Sequence, residues 1–302
     1  MIWDDHDIRD GWGSQGDEHV YRDSYFRTLR EAFIEHQFRR GPRPWSDDLA
    51  RTDAPLWQSF AVAGVPMFVT DLRTCRDVSV PSVIGEPQWR VLRQWFANLD
   101  PRRCRHYVLV SSVPLFYRVA KRATIAAAYT DEVRDDLLDT WTSPPNEPEW
   151  RMMMEEITKA GARGLRGVII GGDYHVNSLC RVTASHDGGK PEIIAYEMIT
   201  AGLAADAYSD WKQKMVREGW FAEVPIEVGS SRLVTEFSFA DPCPTFGGLE
   251  FIGDEVIAHI FQAKAEGCVQ QRVPLSWTDS TESLSTIVTR SHIPIHPGVI
   301  GN

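Results

Sequence analysis

Two short, uninterrupted apolar runs, Tyr107-Val108-Leu109-Val110 and Gly167-Val168-Ile169-Ile170, constrain the fold of this chain more than any other feature. Each has the length and β-branched character of a buried strand and follows a helical pattern. Before the first, residues 86–99 place Trp89, Leu92, Trp95 and Phe96 on one helical face; before the second, residues 147–162 read as a helix. Each run also ends in polar residues, Ser111-Ser112-Val113-Pro114 and Gly171-Gly172-Asp173-Tyr174-His175. Helix, strand and polar loop at the strand's carboxyl end form the α/β pattern in which ligands collect.

The remaining segments extend that frame. Asp23 is placed to cap a helix carrying Phe26, Leu29, Phe33, Ile34 and Phe38 at helical spacing, with Pro42 and Pro44 ending it. Residues 56–72 hold two apolar segments around Ala63-Gly64, a hairpin running into Thr70-Asp71-Leu72-Arg73. Asp187-Gly188-Gly189 turns one strand into the next, a helix is expected over 205–217, and alternating segments at 233–239, 249–252, 256–261 and 269–275 read as an antiparallel meander. The expected organisation is one domain over 1–276 and an extended Ser/Thr- and then Pro-rich tail over 277–302.

Composition narrows the function classes. At 43% hydrophobic and 25% charged residues the chain is globular, with no apolar run of membrane length. A formal charge of -10 argues against a nucleic-acid-binding surface, which needs a basic face, and favours a small substrate or a cation. Five widely spaced cysteines without a C-x-x-C pair suggest neither a disulfide framework nor a zinc knuckle. As given, the first residues carry no export signal, so the expected location is the cytoplasm.

The chemistry concentrates in two clusters. Trp3-Asp4-Asp5-His6-Asp7-Ile8 and Gly172-Asp173-Tyr174-His175 combine carboxylates with imidazoles, a donor set suited to hard divalent cations or ferric iron. A solvated acidic terminus is the plain alternative for the first, but Trp3, Ile8 and Trp12 would have little use there. For the second the alternative is a hydrogen-bonded polar pair; the i, i+2 spacing sets Asp173 and His175 on one face. Gly11, Gly13 and Gly16 match G-x-G-x-x-G without the strand and helix that a dinucleotide site requires. An EF-hand beginning at Asp5 also fails, because Arg9 and Gly16 stand where the calcium loop needs oxygen ligands. Arg73 is placed either to bind phosphate bidentately or to pair with Asp71 or Asp77. Ser111 and Ser112 lack an adjacent His to make a nucleophile, and Asp135, Asp136 and Asp139 read as a solvated helix face.

Taken in order, Trp3-Asp4-Asp5-His6-Asp7, Thr70-Asp71-Leu72-Arg73, Trp89, Val110-Ser111-Ser112-Val113-Pro114, Leu137-Leu138-Asp139-Thr140-Trp141 and Gly172-Asp173-Tyr174-His175 resemble the alkaline phosphatase D-like metallophosphatases of the calcineurin-like phosphoesterase superfamily, over residues 1–205. The resemblance implies an α/β (α+β) fold, a two-sheet αββα sandwich with metals at the strand ends, and hydrolysis of a phosphate ester by metal-activated water. It implies Asp5, Asp173 and His175 as metal ligands, His6 as the group that protonates the leaving oxygen or stabilises the transition state, and Arg73 as the phosphate holder. Iron, calcium, manganese and zinc all suit these donors. Family members carry a first strand and a Gly-Asp ligand segment ahead of the Trp-Asp-Asp-His motif; neither is present in this chain, so the expectation is a sandwich incomplete on its amino-terminal side. The alternatives are an impaired remnant that binds metal or phosphate or completes its site with a partner chain, and an acidic interaction module without metal.

Overall fold

The computed structural model describes residues 2–13, 22–38, 49, 51, 53–77, 80, 82–117, 138–172, 176–200, 202, 225–239, 243–264, 267–278, 283–284 and 289–293. These form a mixed α+β protein with an eight-stranded and a four-stranded sheet. The first has the order β1-β2-β3-β4-β6-β5-β8-β7, with β1 at Gln58–Val62, β2 at Val65–Val69, β3 at His106–Val110, β4 at Arg166–Gly171, β5 at Ser178–His186, β6 at Glu192–Ile199, β7 at Ile226–Val228 and β8 at Ser231–Phe239. The second has the order β12-β11-β10-β9, from Thr245–Ile252 (β9), Glu255–Lys264 (β10), Gly267–Leu275 (β11) and Thr289–Ile293 (β12). Helices α1 at Arg27–His36, α2 at Gly85–Asn98 and α3 at Glu147–Ala162 accompany them.

The two apolar runs become β3 and β4 at the heart of a parallel block, β2-β3-β4-β6. Both of their faces are covered, as their composition requires. On one side α2 and α3 bring Trp89, Leu92, Phe96, Trp150, Met153 and Ile157 onto Tyr107, Leu109 and Ile169. On the other side Val108, Val168, Tyr196 and Met198 meet Val256, Ala258, Ile260, Val273 and Leu275 of the second sheet. The β1–β2 hairpin turns at Ala63 and Gly64, both in the left-handed region (φ 49° and 87°), as a two-residue primed turn demands.

Three expectations change. The meander divides: β8 pairs with β5 in the large sheet, while β9, β10 and β11 form the antiparallel run of the small one. The segment read as an extended tail places Leu284 in the core between the sheets and supplies β12, which pairs with β11. Asp23 lies inside a π-helical turn, Arg22–Phe26, and not at a helix cap. Pro42, Pro44 and the helix expected over 205–217 lie outside the described residues. Among the described residues, no helix is long and apolar enough to cross a membrane.

The layer of helices sits close to the sheet where α3 meets β6. A Cβ added at Gly161 would lie 2.5 Å from Ile194 Cγ2 and 2.8 Å from its Cβ. Gly161→Ala should therefore destabilise by about 1–3 kcal/mol, although alanine is the better helix former. Combined with Ile194→Ala, which relieves the clash but leaves a cavity, the double variant should lose less than the sum of the two single losses, measured by urea denaturation of the single and double variants.

Candidate functional site

The carboxyl ends of the parallel strands lie side by side. Thr70 N–H donates to the Val110 carbonyl at 3.0 Å, Ser111 N–H to Ile170 at 2.9 Å, Gly172 N–H to Ser112 at 3.2 Å and Thr200 N–H to Gly171 at 3.3 Å. This edge receives the loops that carry polar side chains, because a strand's last residues are the first free of the sheet.

The loop after β2 folds around Asp71. Its carboxylate accepts from the N–H groups of Leu56, Arg73 and Thr74 and from the Thr74 hydroxyl, at 2.5–3.0 Å. Gln88 of α2 grips the Asp71 backbone from both sides, donating to its carbonyl and accepting from its N–H, each at 2.8 Å. The Asp71 side chain is thus consumed in shaping a turn, and the turn sends Arg73 inward. Arg73 is fully buried. Its Nε donates to Asp4 at 2.7 Å; Nη1 donates to Asp139 at 2.7 Å and to the Trp12 carbonyl at 3.2 Å; Nη2 reaches Asp4 at 2.6 Å and Asp5 at 3.2 Å. Four hydrogen bonds and the further ion pair to Asp4 hold the guanidinium, which has five N–H groups to offer.

The acceptors come from a turn that the acid-rich sequence builds for itself. Asp5–Asp7 is a single 3₁₀ turn closed by a reciprocal capping box, in which the Asp4 carboxylate accepts from Asp5 N–H at 2.9 Å and the Asp7 carboxylate accepts from Asp4 N–H at 3.0 Å. Trp3, Ile8 and Trp12 anchor it in a core of their own with Phe26, Phe33 and Ile34; Trp12 stacks on Phe26 at 5.1 Å. Two of the glycines that failed as a nucleotide motif, Gly11 and Gly13, serve this packing, and Gly16 lies outside the described residues. Gly11 N–H donates to the second oxygen of Asp5 at 3.0 Å, and Gly13, at φ 94°, lies so close to Arg76 that a Cβ would sit 2.5 Å from its Cγ and Cδ. Arg76 is itself buried and reaches Asp139, 2.5 Å from its carbonyl and 3.2 Å from its carboxylate.

Three carboxylates, Asp4, Asp5 and Asp139, thus face two guanidinium groups, and the surplus negative charge has to be accommodated. Burial raises the Asp4 carboxyl above its ordinary value, and the neighbouring Asp5 and Asp139 add to the rise against the pull of Arg73. For Asp139 burial also acts upward, but Arg73 and Arg76 together outweigh it and hold the carboxyl low. Arg73 loses solvation on burial, yet its three carboxylates raise its pKa and keep it protonated.

At the mouth of this network stands His6. Its side chain and that of Asp10 are 72% and 77% exposed, with Nε2 3.7 Å from the Asp10 carboxylate. Ligand atoms of Asp5, His6 and Asp10 lie within 4.8 Å of one another, two carboxylates and an imidazole that fit a hard cation. Asp5 forms the buried floor and the other two the solvent-facing rim.

The structure therefore brings Asp5, His6 and Arg73 together, while Asp173 and His175 lie outside the described residues. It corrects two readings. The Arg73 guanidinium pairs with Asp4, Asp5 and Asp139 and with neither Asp71 nor Asp77. Asp139 is not on a solvated face but buried against Arg73; Asp135 and Asp136 lie outside the described residues. Asp4, Asp10 and Asp139 are the members that composition and spacing missed. Asp139 stands between Leu138 and Trp141, apolar neighbours that argue for burial.

A family model described as PhoD-like phosphatase matches residues 1–227. Among curated proteins, the chain is similar to "Uncharacterized protein YGR266W" of Saccharomyces cerevisiae, 21% identical over 233 residues that cover 61% of this chain and 33% of that protein. Among solved structures it is similar to PhoD, with a TM-score of 0.52 and 15% identity over 99% of this chain and 56% of that one, a shared fold. A purple acid phosphatase, PPD1 from yellow lupin (Lupinus luteus) seeds, aligns with a TM-score of 0.37 and 11% identity over 68% of this chain and 30% of that one. The chain thus spans about a third of the yeast protein's length and just over half of PhoD's.

Breaking the Arg73 network should be costly. Arg73→Met strands three carboxylates and should lose about 3–5 kcal/mol in urea denaturation; Asp139→Asn, which leaves Arg73 paired with Asp4 and Asp5, should lose less. The acid limb follows from the shifts. The Asp139 contribution is complete above its ordinary value of 3.8 and is lost as pH falls through its lowered folded value. The raised Asp4 works in the opposite sense, its share fading as pH rises through its folded value, so Asp139→Asn should flatten the loss of melting temperature below about pH 4 and Asp4→Asn should not.

Proposed function

Because the chain belongs to the PhoD-like phosphatase family, we propose that it is a metal-dependent phosphoric ester hydrolase, a phosphatase or phosphodiesterase, with its site at the carboxyl edge of β2, β3 and β4. The observation that carries this reading is the grouping of Asp5, His6 and Asp10 within 4.8 Å over the buried Arg73 network. Asp5 holds the cation, joined by Asp173 and His175, which follow Gly171-Gly172 in sequence just after β4. A bound cation supplies Lewis acidity toward a phosphoryl oxygen and lowers the pKa of water. The metal is iron, calcium, manganese or zinc.

The chain's own residues do the rest. Arg73 and Arg76 keep the carboxylates of Asp4, Asp5 and Asp139 in place, so Asp5 enters the site already oriented and its cost of ordering is met on folding. His6, exposed beside Asp5, delivers a proton to the leaving oxygen as the P–O bond to the alcohol breaks, while the oxygen of water bonds to phosphorus on the opposite side and gives its proton to solvent.

The test is hydrolysis of bis-p-nitrophenyl phosphate and p-nitrophenyl phosphate by the purified chain with each of the four cations. Turnover that needs a cation and falls by about 10²–10⁴-fold in His6→Ala is the expected result. Stoichiometric cation binding without turnover would replace this reading with that of a binding remnant.

A further inference from the structure

One acid far from the site chemistry is built into its scaffold. Glu197 lies on β6, completely buried, with Ile169 of β4 and Cys180 of β5 as its register partners. Its two oxygens do not meet a cation. They accept backbone N–H groups of the loop after β3: Oε1 from Leu115 at 2.6 Å and Oε2 from Phe116 at 3.2 Å. Two indoles also hold this loop, Trp150 Nε1 donating to the Leu115 carbonyl at 2.8 Å and Trp141 Nε1 to the Ser111 hydroxyl at 3.2 Å. Its first turn carries Ser112, whose carbonyl receives Gly172 N–H, the residue immediately before Asp173.

We propose that Glu197 is a positioning residue for the phosphoesterase site, a clamp that holds the 111–117 loop and, through Ser112, fixes where the β4 segment leading to Asp173 and His175 leaves the sheet. The proposal rests on the function proposed above. The geometry explains why a carboxyl is used: an amide or a hydroxyl at this position could not accept from two successive N–H groups through two separate oxygens.

Protonation decides how firmly the clamp closes. Burial raises Glu197 to about 7, against the lowering effect of the two N–H donors. The ionisable groups that face it are Tyr117 from the loop and Cys180 from β5; Tyr117 is itself pushed up by burial and pairs with the Ser178 hydroxyl. No charged partner of either sign contributes to the shift of Glu197 among the described residues. The closed state therefore prefers the neutral carboxyl. A loop opening that hydrates Glu197 returns it toward 4.5, so opening becomes easier as pH rises through this window, by at most the ratio of the two acidity constants, about 300-fold.

Amide hydrogen exchange at Leu115 and Phe116, corrected for intrinsic rates, should accelerate by about tenfold between about pH 6 and pH 8 in the wild-type protein. In Glu197→Gln, which stays neutral, that pH dependence should vanish, and the pH profile of cation-dependent p-nitrophenyl phosphate hydrolysis should lose an inflection near about pH 7. Exchange that is flat with pH in the wild type, a measurement that needs no variant, overturns the clamp. The same pH slope in Glu197→Gln does so as well. A hydrolysis profile identical in both proteins overturns the positioning role while leaving the exchange result intact. Pronounced exchange effects in a protein inert toward every ester overturn the phosphoesterase reading, and with it the positioning role.

Discussion

The pairing of one buried guanidinium with three carboxylates holds the rest of the site together. Arg73 joins pieces of chain that are far apart in sequence: the turn at Asp4 and Asp5, the Trp12 carbonyl, and Asp139. Removing such charges from water is expensive, and four hydrogen bonds with a further ion pair to Asp4 offset that cost. The pairing also fixes geometry, because Asp5 is held between Arg73 and the Gly11 N–H.

That network is positioned by the sheet. Parallel strands end at one edge, Gln88 on α2 clamps Asp71 there, and the turn at Asp71 aims Arg73 at the amino-terminal segment. The segment has its own aromatic core, Trp3, Trp12, Phe26 and Phe33, and so arrives as an ordered element. Buried acids recur through the scaffold in the same role. Glu149 of α3 accepts from Val83 and Ile84 N–H groups as Glu197 does from Leu115 and Phe116. These carboxyls take the place of strand or helix partners where the backbone passes through the interior, and each loop so held borders the site edge or leads to it.

Much of this was legible in residue order. The helices at 86–99 and 147–162, the strands at 107–110 and 167–170 and the hairpin at Ala63-Gly64 announce themselves through periodicity and turn chemistry, which are local properties. Asp5 and His6 stand out because carboxylate and imidazole beside large apolar residues are an unusual neighbourhood. Arg73 was legible as a buried or binding cation, but its partners were not: Asp71 and Asp77 are near in sequence and Asp4, Asp5 and Asp139 are near only in space. Glu197 sits in an apolar strand, Glu192–Ile199, where nothing in the adjacent residues indicates which backbone will cross over it.

The destination of the later strands has the same character. Alternation marks 233–239 and 256–261 equally as strands, yet β8 joins β5 in the large sheet and β10 builds the small one. By itself the sequence determined which segments are strands and helices, which faces are apolar, and that a hard-cation donor set opens the chain, since these follow from side-chain chemistry and spacing. Only the tertiary structure decided which acid neutralises Arg73, which strand lies beside which, and where a buried carboxyl finds its N–H donors. Pairing energies depend on distance in space, and closing loops of about sixty to eighty residues brings together groups whose order along the chain carries no record of the meeting.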